Sequence, residues 1–432
     1  MTPEQNNTFT SVGKGTPMGE LLRRYWHPIS LSSEFKTERV KKVKLLGEEL
    51  VLYRDKSGNF GLVDKRCAHR GASLEYAIID TVGIRCAYHG WKYDAQGKCL
   101  DRPNEPENDL GKARICLKSY PVLERGEMIF AYLGPAPVPE FPMFDLYRTG
   151  NFVKTIGYAQ VPVNWLQIME NSLDPVHVEW LHGHFYKQEK GISEPPFDTF
   201  SRHHVKIGFD EFEYGIIKRR LLEGQIEEES TDWKTGHPMI FPNMLLVGDT
   251  RVHQFQIRVP VDDKTTMHYW YNCFHPAEGV EIPKNYPTTS YEVPIRDEKG
   301  DYIKDYVDGQ DIMMWESQGE IYDRSLEHLA SSDRGIVQYR RMLTREIEKM
   351  KNGQDPMCVF RATGPIPLPV EESRHGLKSG AFLNHTHSRD YRFAPNIDEI
   401  VRILSASPTE CRGKSPGNAS VPAESVASPF QS

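Results

Sequence analysis

The sequence predicts an α+β chain in two folded parts: a small all-β domain, then a larger domain that mixes helices and strands. Three observations predict it. Short strand-like runs separated by turn signals fill residues 42–133, a proline-rich stretch then breaks every regular pattern, and helix-period segments beyond it frame further strand-like runs. At 432 residues, with 38% hydrophobic and 26% charged side chains, the chain has material for more than one core. A net charge of −7 with scattered Lys and Arg offers no basic face to nucleic acid or to a membrane, so small molecules and other proteins are the expected partners.

Residues 1–28 read as a helical arm, interrupted at Gly13-Lys14-Gly15, with Thr16-Pro17 as N-cap and first turn before Met18-Gly19-Glu20-Leu21-Leu22. Residues 29–135 form the β domain, whose strands are Val43–Leu46, Leu50–Tyr53, Phe60–Val63 and Met128–Leu133, punctuated at Ser57-Gly58-Asn59 and Asp94-Ala95-Gln96-Gly97. Gly134–Pro142 holds four prolines in nine residues, which neither a ladder nor a helix can carry, so 136–149 is the linker. Residues 150–405 make the larger domain: a helical segment near 164–186, strand-like runs at 203–223, 239–247, 251–260 and 265–275, and a long helix after Asp333. That helix spaces Ile336, Tyr339, Leu343, Ile347 and Met350 on one face, with Gly353 past its end. Residues 406–432, rich in Ser, Pro, Gly and Ala, read as a disordered tail. The start Met1-Thr2-Pro3-Glu4 lacks the pattern of a secretory signal and no segment nears the roughly 18 apolar residues of a membrane span, so a cytoplasmic protein is expected.

Seven cysteines, an odd number spread over a long chain, argue against a disulfide framework. Cys99, Cys116, Cys273, Cys358 and Cys411 read as ordinary packing residues. Cys67-x-His69 and, after sixteen intervening residues, Cys86-x-x-His89 do not. Each loop offers one thiolate and one imidazole. In a Rieske [2Fe–2S] centre two cysteines hold one iron and two histidines the other, and the neutral imidazoles raise the reduction potential, which suits relaying single electrons. A Cys₂His₂ zinc finger orders its ligands differently, with both histidines on a helix. Gly71 and Gly90, just beyond each pair, are expected to let the backbone come close and donate N–H groups to sulfur.

A second cluster of ligand-type residues follows in Asp174-Pro175-Val176-His177-Val178-Glu179-Trp180-Leu181-His182-Gly183-His184. Asp174 and Pro175 suit an N-cap and first helical position, putting Asp174 one turn from His177. His177 and His182 are about 140° out of phase on an ideal helix, so a shared metal requires a distorted or ending helix, which Gly183 permits. Two imidazoles and one carboxylate form the facial triad of non-haem Fe(II) oxygenases. Asp311, in Gly309-Gln310-Asp311-Ile312-Met313-Met314-Trp315, is the candidate acid, and Asp308, one turn earlier on the same face, is not separated from it by spacing. A zincin site would need histidines four apart with Glu directly after the first, and neither condition holds.

Together the two constellations resemble the α subunits of Rieske non-haem iron aromatic-ring-hydroxylating oxygenases over residues 10–400, in the group of phthalate dioxygenase and 5,5'-dehydrodivanillate O-demethylase. Gly15–Trp26, Asn164–Gln167, Gln310-Asp311, Ser317-Gln318-Gly319 and Asp323-Arg324-Ser325 carry the likeness beside the ligand motifs. The resemblance implies a Rieske domain joined to a helix-grip (Bet v1-like, START-like) catalytic domain whose antiparallel sheet wraps a long helix. It matches Cys67, His69, Cys86 and His89 to the [2Fe–2S] ligands, His177, His182 and Asp311 to a mononuclear Fe(II), and Asp174 to the acid bridging the cluster of one subunit to the iron of the next in a homotrimer. It also implies electrons from NAD(P)H through a reductase with flavin and plant-type ferredoxin domains, and phthalate-like dioxygenation of an aromatic acid, with O-demethylation of a methoxylated aromatic acid as the alternative. A Rieske electron carrier without catalysis would have the cluster alone.

An aromatic acid needs a cationic anchor in an apolar cavity. Arg219, Arg220, Arg251 and Arg258 are the candidates, with Lys218 beside them and His237, His253 and His268 as weaker ones.

Overall fold

The computed structural model describes residues 1–106, 110–147, 150–191, 196–249, 252–276, 279–283, 286–369 and 386–405. The sequence-predicted tail at 406–432 and Cys411 lie outside them. No helix among the described residues is long and apolar enough to cross a membrane.

The arm consists of helices Pro3–Thr10 and Pro17–Leu22. Thr16 caps the second as its sequence predicts, Oγ1 accepting from Gly19 N at 3.1 Å. The β domain starts three residues earlier than expected. Strand Trp26–Leu31 pairs antiparallel with Met128–Tyr132, so the arm ends where Trp26 meets Tyr132. A four-stranded sheet (Val40–Leu45, Glu48–Arg54, Phe60–Asp64, Ser119–Tyr120) packs beside it, and a small meander (Ile78–Ile79, Ile84–Arg85, Lys92–Tyr93, Cys99–Asp101) forms the far end of the domain. There Val51, Tyr53, Val63, Leu74, Ile84 and Tyr93 make a separate core under Cys67 and Cys86.

The proline-rich stretch is fastened at several points. Pro139 O accepts the Trp26 indole N–H at 3.0 Å, Glu140 bridges Phe360, and Met143–Phe144 pairs in parallel with Pro365–Ile366.

The larger domain is built on an eight-stranded sheet in the order His204–Phe212, Gly215–Leu222, His237–Ile240, Met244–Asp249, Val252–Asp262, Thr265–Phe274, Val153–Val161, Thr289–Glu292. All neighbours are antiparallel except the last pair. Helix Arg334–Lys351 lies in its curve, as a helix-grip fold requires, and buries Tyr339, Met342, Leu343 and Ile347 among Ile216, Met239, Phe255 and Ile257. Truncating one of these, such as Leu343→Ala, is expected to cost about 2–5 kcal/mol. Of the other cysteines, Cys99 and Cys273 are buried, Cys358 is half-buried and Cys116 is exposed.

Candidate functional site

The first site forms where two loops meet at the tip of the β domain. Cys67 follows strand Phe60–Asp64, and Cys86 sits between Ile84–Arg85 and Lys92–Tyr93. Gly71 N donates to Cys67 O at 2.9 Å and Gly90 N to Cys86 O at 3.0 Å. Both glycines have φ near +70° (+71° and +75°), so they close the two turns rather than donating to sulfur, a correction to the sequence reading. The thiols are buried and adjacent, and the Tyr93 hydroxyl lies 3.2 Å from Cys67 Sγ. The histidines stand at the half-exposed rim, ring centroids 4.6 Å apart, with His69 stacked on Trp91 at 4.5 Å and Arg102 over the far ring system at 5.1 Å. His69 Nδ1 is buried without a partner. Two buried thiols side by side and two imidazoles beyond them match the donor set of a Rieske cluster.

The second site is made by a change of helical winding. Helix Trp165–Ser172 ends at Leu173, Asp174 Oδ1 accepts from Val176 N at 2.9 Å and from His177 N at 3.4 Å, and Val178–Phe185 then runs as a π-helix. Hydrogen bonds from i to i+5 make residues five apart successive-turn neighbours, which solves the phase problem of His177 and His182. Gly183 lies inside this turn and does not end it. A Cβ there would come within 2.5 Å of Ser201 Cα, so the bare glycine lets the wide turn pack against the chain.

His177, His182 and Asp311 each offer a ligand atom, all within 4.8 Å of one another. Asp311 comes from helix Val307–Ser317, and its Oδ1 lies 3.3 Å from His182 Nε2 and 3.7 Å from His177 Nε2. Burial pushes its carboxyl up, but the charge of His182 and then of His177 outweighs this and holds it below the ordinary range. Asp308, inseparable by spacing, is engaged elsewhere: Oδ1 accepts from Trp270 Nε1 at 2.8 Å and Oδ2 from Asp390 N at 3.2 Å. On the other flank Asp174 Oδ2 sits 3.5 Å from His177 Nδ1, which has no better partner. Burial raises Asp174, while His177 and the Val176 N–H bring it down to about 2. A half-buried, converging His₂Asp set with an orphaned Asp311 oxygen fits a metal ion with open positions. His184 is exposed against Trp180 and takes no part.

A cavity opens on this triad, walled by Phe200, Leu245, Val247 and Val307 and by Lys218, Arg220, His237, Gln256 and Arg389. Strand alternation sorts the basic candidates. Arg219 points to the opposite face, where Nε donates to Asp210 Oδ2 at 2.6 Å and the guanidinium also meets Trp233 O, so it does not line the cavity. Arg220 does, with Nε on Asp232 Oδ2 at 3.0 Å. Arg258 is 1% exposed behind the wall and donates to Gln256 Oε1 at 2.6 Å. Arg251 lies outside the described residues. His268 is buried against Trp270 and His253 faces His275, both away from the cavity wall. Sequence reasoning missed Gln256, Arg389 and the roles of Gln310 and Tyr93; only strand alternation held a signal for Gln256.

A Rieske [2Fe-2S] domain family matches residues 25–121, and a family described as LigXa C-terminal domain like matches 298–368. The chain is 40% identical to the 5,5'-dehydrodivanillate O-demethylase oxygenase subunit of Sphingobium sp. (strain NBRC 103272 / SYK-6), over 86% of this chain and 87% of that one. It is 34% identical to the phenoxybenzoate dioxygenase subunit alpha of Ectopseudomonas oleovorans, over 81% and 87%. Among solved structures, the terminal oxygenase of carbazole 1,9a-dioxygenase from Nocardioides aromaticivorans IC177 shares the fold with TM-score 0.58 at 19% identity, over 80% of this chain and 97% of that chain. The two ligand constellations, the fold and identities of this extent across both domains place the chain among the Rieske non-haem iron oxygenases, as an oxygenase subunit and hence an oxidoreductase.

Proposed function

We propose that this subunit hydroxylates the methyl carbon of a methoxylated aromatic acid, releasing formaldehyde and leaving a phenol. The observation that carries an oxygenase reading is the convergence of His177, His182 and Asp311 on one point beside a partly apolar cavity. The 40% identity to an O-demethylase subunit favours the methyl carbon. Ring dioxygenation is the second reading, favoured by the dioxygenase names of relatives at 34%, 30% and 28% identity.

Cys67, Cys86, His69 and His89 would hold the [2Fe–2S] cluster, and His177, His182 and Asp311 a mononuclear Fe(II). When bound, the metals supply reductive activation of O₂, with electrons arriving singly through the cluster from an NAD(P)H-dependent reductase carrying flavin and plant-type ferredoxin domains. The chain's own work is positional. Gln310 and Asp174 orient the two imidazoles from their Nδ1 sides. Phe200, Leu245, Val247 and Val307 seat an aromatic ring and keep water off it.

Asp174 opens onto a groove lined by Trp180, Met314, Gln318 and Ile336, and Trp180 is 66% exposed. Tyr88, beside His89 at the tip of the β domain, is 61% exposed. His89 and Asp174 make no hydrogen bond or ion pair with each other within the chain, among the described residues. This supports a homotrimer in which the His89 tip of one copy meets the Asp174 groove of the next.

The test is turnover of methoxybenzoates with a surrogate reductase, assayed for formaldehyde and for cis-diol, beside an iron count per chain. Formaldehyde with three irons per chain, two of them in the cluster, is expected. A cis-diol would favour the second reading, and iron in the cluster alone would overturn both.

A further inference from the structure

Lys218 lies in the middle of strand Gly215–Leu222, on the face that looks into the cavity beside His177, His182 and Asp311. The residue is 8% exposed. Its neighbour on that face, Arg220, has a counter-ion: Asp232 takes the Arg220 Nε on one oxygen and lies 3.2 Å from His237 Nε2 through the other. Lys218 has none. Among the described residues no acceptor lies within hydrogen-bond or ion-pair distance of its ammonium. Asp174 and Asp311 act on it only at longer range, and both have their own imidazole partners.

An ammonium buried without a partner is destabilising unless something outside the fold completes it. Burial first, and then repulsion from Arg220, bring this one down to about 8, as expected for a charge lacking its counter-ion. A structural lysine would carry a carboxylate or a row of carbonyls. The cavity wall around it is apolar at Leu245, Val247 and Phe200, which suits an aromatic ring; of the other cations on that wall, Arg220 is paired with Asp232 and Arg389 acts on Asp308 and Asp311.

We propose that Lys218 is the specificity-determining anchor for an ionised oxygen group on the substrate, so that this cavity selects aromatic anions over their neutral counterparts. The proposal rests on the reading of this cavity as the oxygenation site. Lysine acts as a point charge rather than a planar fork, so a carboxylate and a phenolate satisfy it by the same chemistry.

The experiment is calorimetric titration of the O₂-free holoenzyme with 3-methoxybenzoate, with ionised 2-methoxy-4-nitrophenol and with neutral 3-methoxybenzamide. Wild type is expected to bind at least one anion more tightly than the amide. Lys218→Met is expected to raise the dissociation constant of that anion by about 10- to 100-fold, the worth of a charge-assisted hydrogen bond, with the amide changed less than about twofold. Lys218→Arg is expected to keep the preference. Which anion loses more identifies the group it takes. The visible spectrum of the cluster reports whether each variant has folded, and Lys218→Gln replaces Lys218→Met if the latter has not. A wild type without preference for either anion overturns the proposal, as does a neutral variant that keeps the preference or loses acid and amide together. Anions that bind through Lys218 yet yield neither formaldehyde nor diol would leave the anchor standing and remove the oxygenation reading instead.

Discussion

Gln310 Oε1 lies 2.7 Å from His182 Nδ1, while Gln310 Nε2 donates to Lys304 O at 3.0 Å. The second bond fixes the amide, so its oxygen faces the ring and His182 Nδ1 is the donor. The lone pair of His182 Nε2 is thereby turned toward Asp311 and the metal position. Removing such an orienting partner typically costs 10- to 100-fold in metal affinity. Gln310→Leu is therefore expected to lose mononuclear iron about 10- to 100-fold more readily in chelator competition, with the cluster spectrum intact. Iron retention equal to wild type would show that His182 needs no such partner.

Asp174 joins a helix cap to His177 through two different oxygens. Asp174→Asn keeps the cap and removes the charge. Both metal centres should remain and the cluster should still be reduced, while product formation falls by about 10- to 100-fold. Unchanged turnover would reduce Asp174 to a cap.

The wide turn at Val178–Phe185 depends on Gly183. Gly183→Ala forces a methyl against the Ser201 backbone, and overpacking of this kind costs about 1–3 kcal/mol. The melting temperature should fall, and with it the iron content, because His177 and His182 lie on either side of the shifted turn. A variant with wild-type iron content would mean that the turn tolerates the methyl.

The ligand motifs were legible in the sequence because their chemistry lies in residue type and order. Cys67 and Cys86 lie side by side, and His69 and His89 face each other. What spacing left open was settled by long-range contacts. Asp308 and Asp311 share a helix face, and only Trp270 and the backbone of Asp390, distant in sequence, occupy the first and free the second. The five-residue step from His177 to His182 pointed to a distortion without saying which. Among the basic residues, period-two alternation separates Arg219 from Lys218 and Arg220, but the partner that neutralises Arg220 and leaves Lys218 bare, Asp232, comes from a neighbouring helix. Strand Val153–Val161, inserted between Thr265–Phe274 and Thr289–Glu292, was passed over, since Lys154, Gly157 and Gln160 interrupt its apolar run.

Tyr93 is fully buried with its hydroxyl 3.2 Å from Cys67 Sγ. Donation to a cluster sulfur stabilises the more negative, reduced state and so raises the potential. If the bond is worth about 1 kcal/mol more in the reduced state, Tyr93→Phe should lower the cluster potential by about 40 mV on the one-electron scale, measured by spectroelectrochemical titration. A shift toward higher potential would contradict this polarity.

Asp390 is buried beside Asp308 at the back of the catalytic helix and accepts from Gln254 Nε2 at 2.8 Å, Asn272 Nδ2 at 3.0 Å and Tyr291 Oη at 2.8 Å. Burial first, and then the Asp308 charge, push its carboxyl up to about 7 despite these donors. In the unfolded chain it titrates as an ordinary aspartate, near 3.9. Between those two values the native state binds more protons than the unfolded state, so stability falls as pH rises, by up to about 1.4 kcal/mol per pH unit for one proton. Below the unfolded value both states are protonated, and above the folded value both are ionised, so the slope vanishes at either end. Thermal unfolding at acid and at mildly alkaline pH should show wild type losing stability through this window. Asp390→Asn should flatten that part of the profile, because an amide takes up no proton in either state. An equal slope in both proteins would place the proton uptake elsewhere.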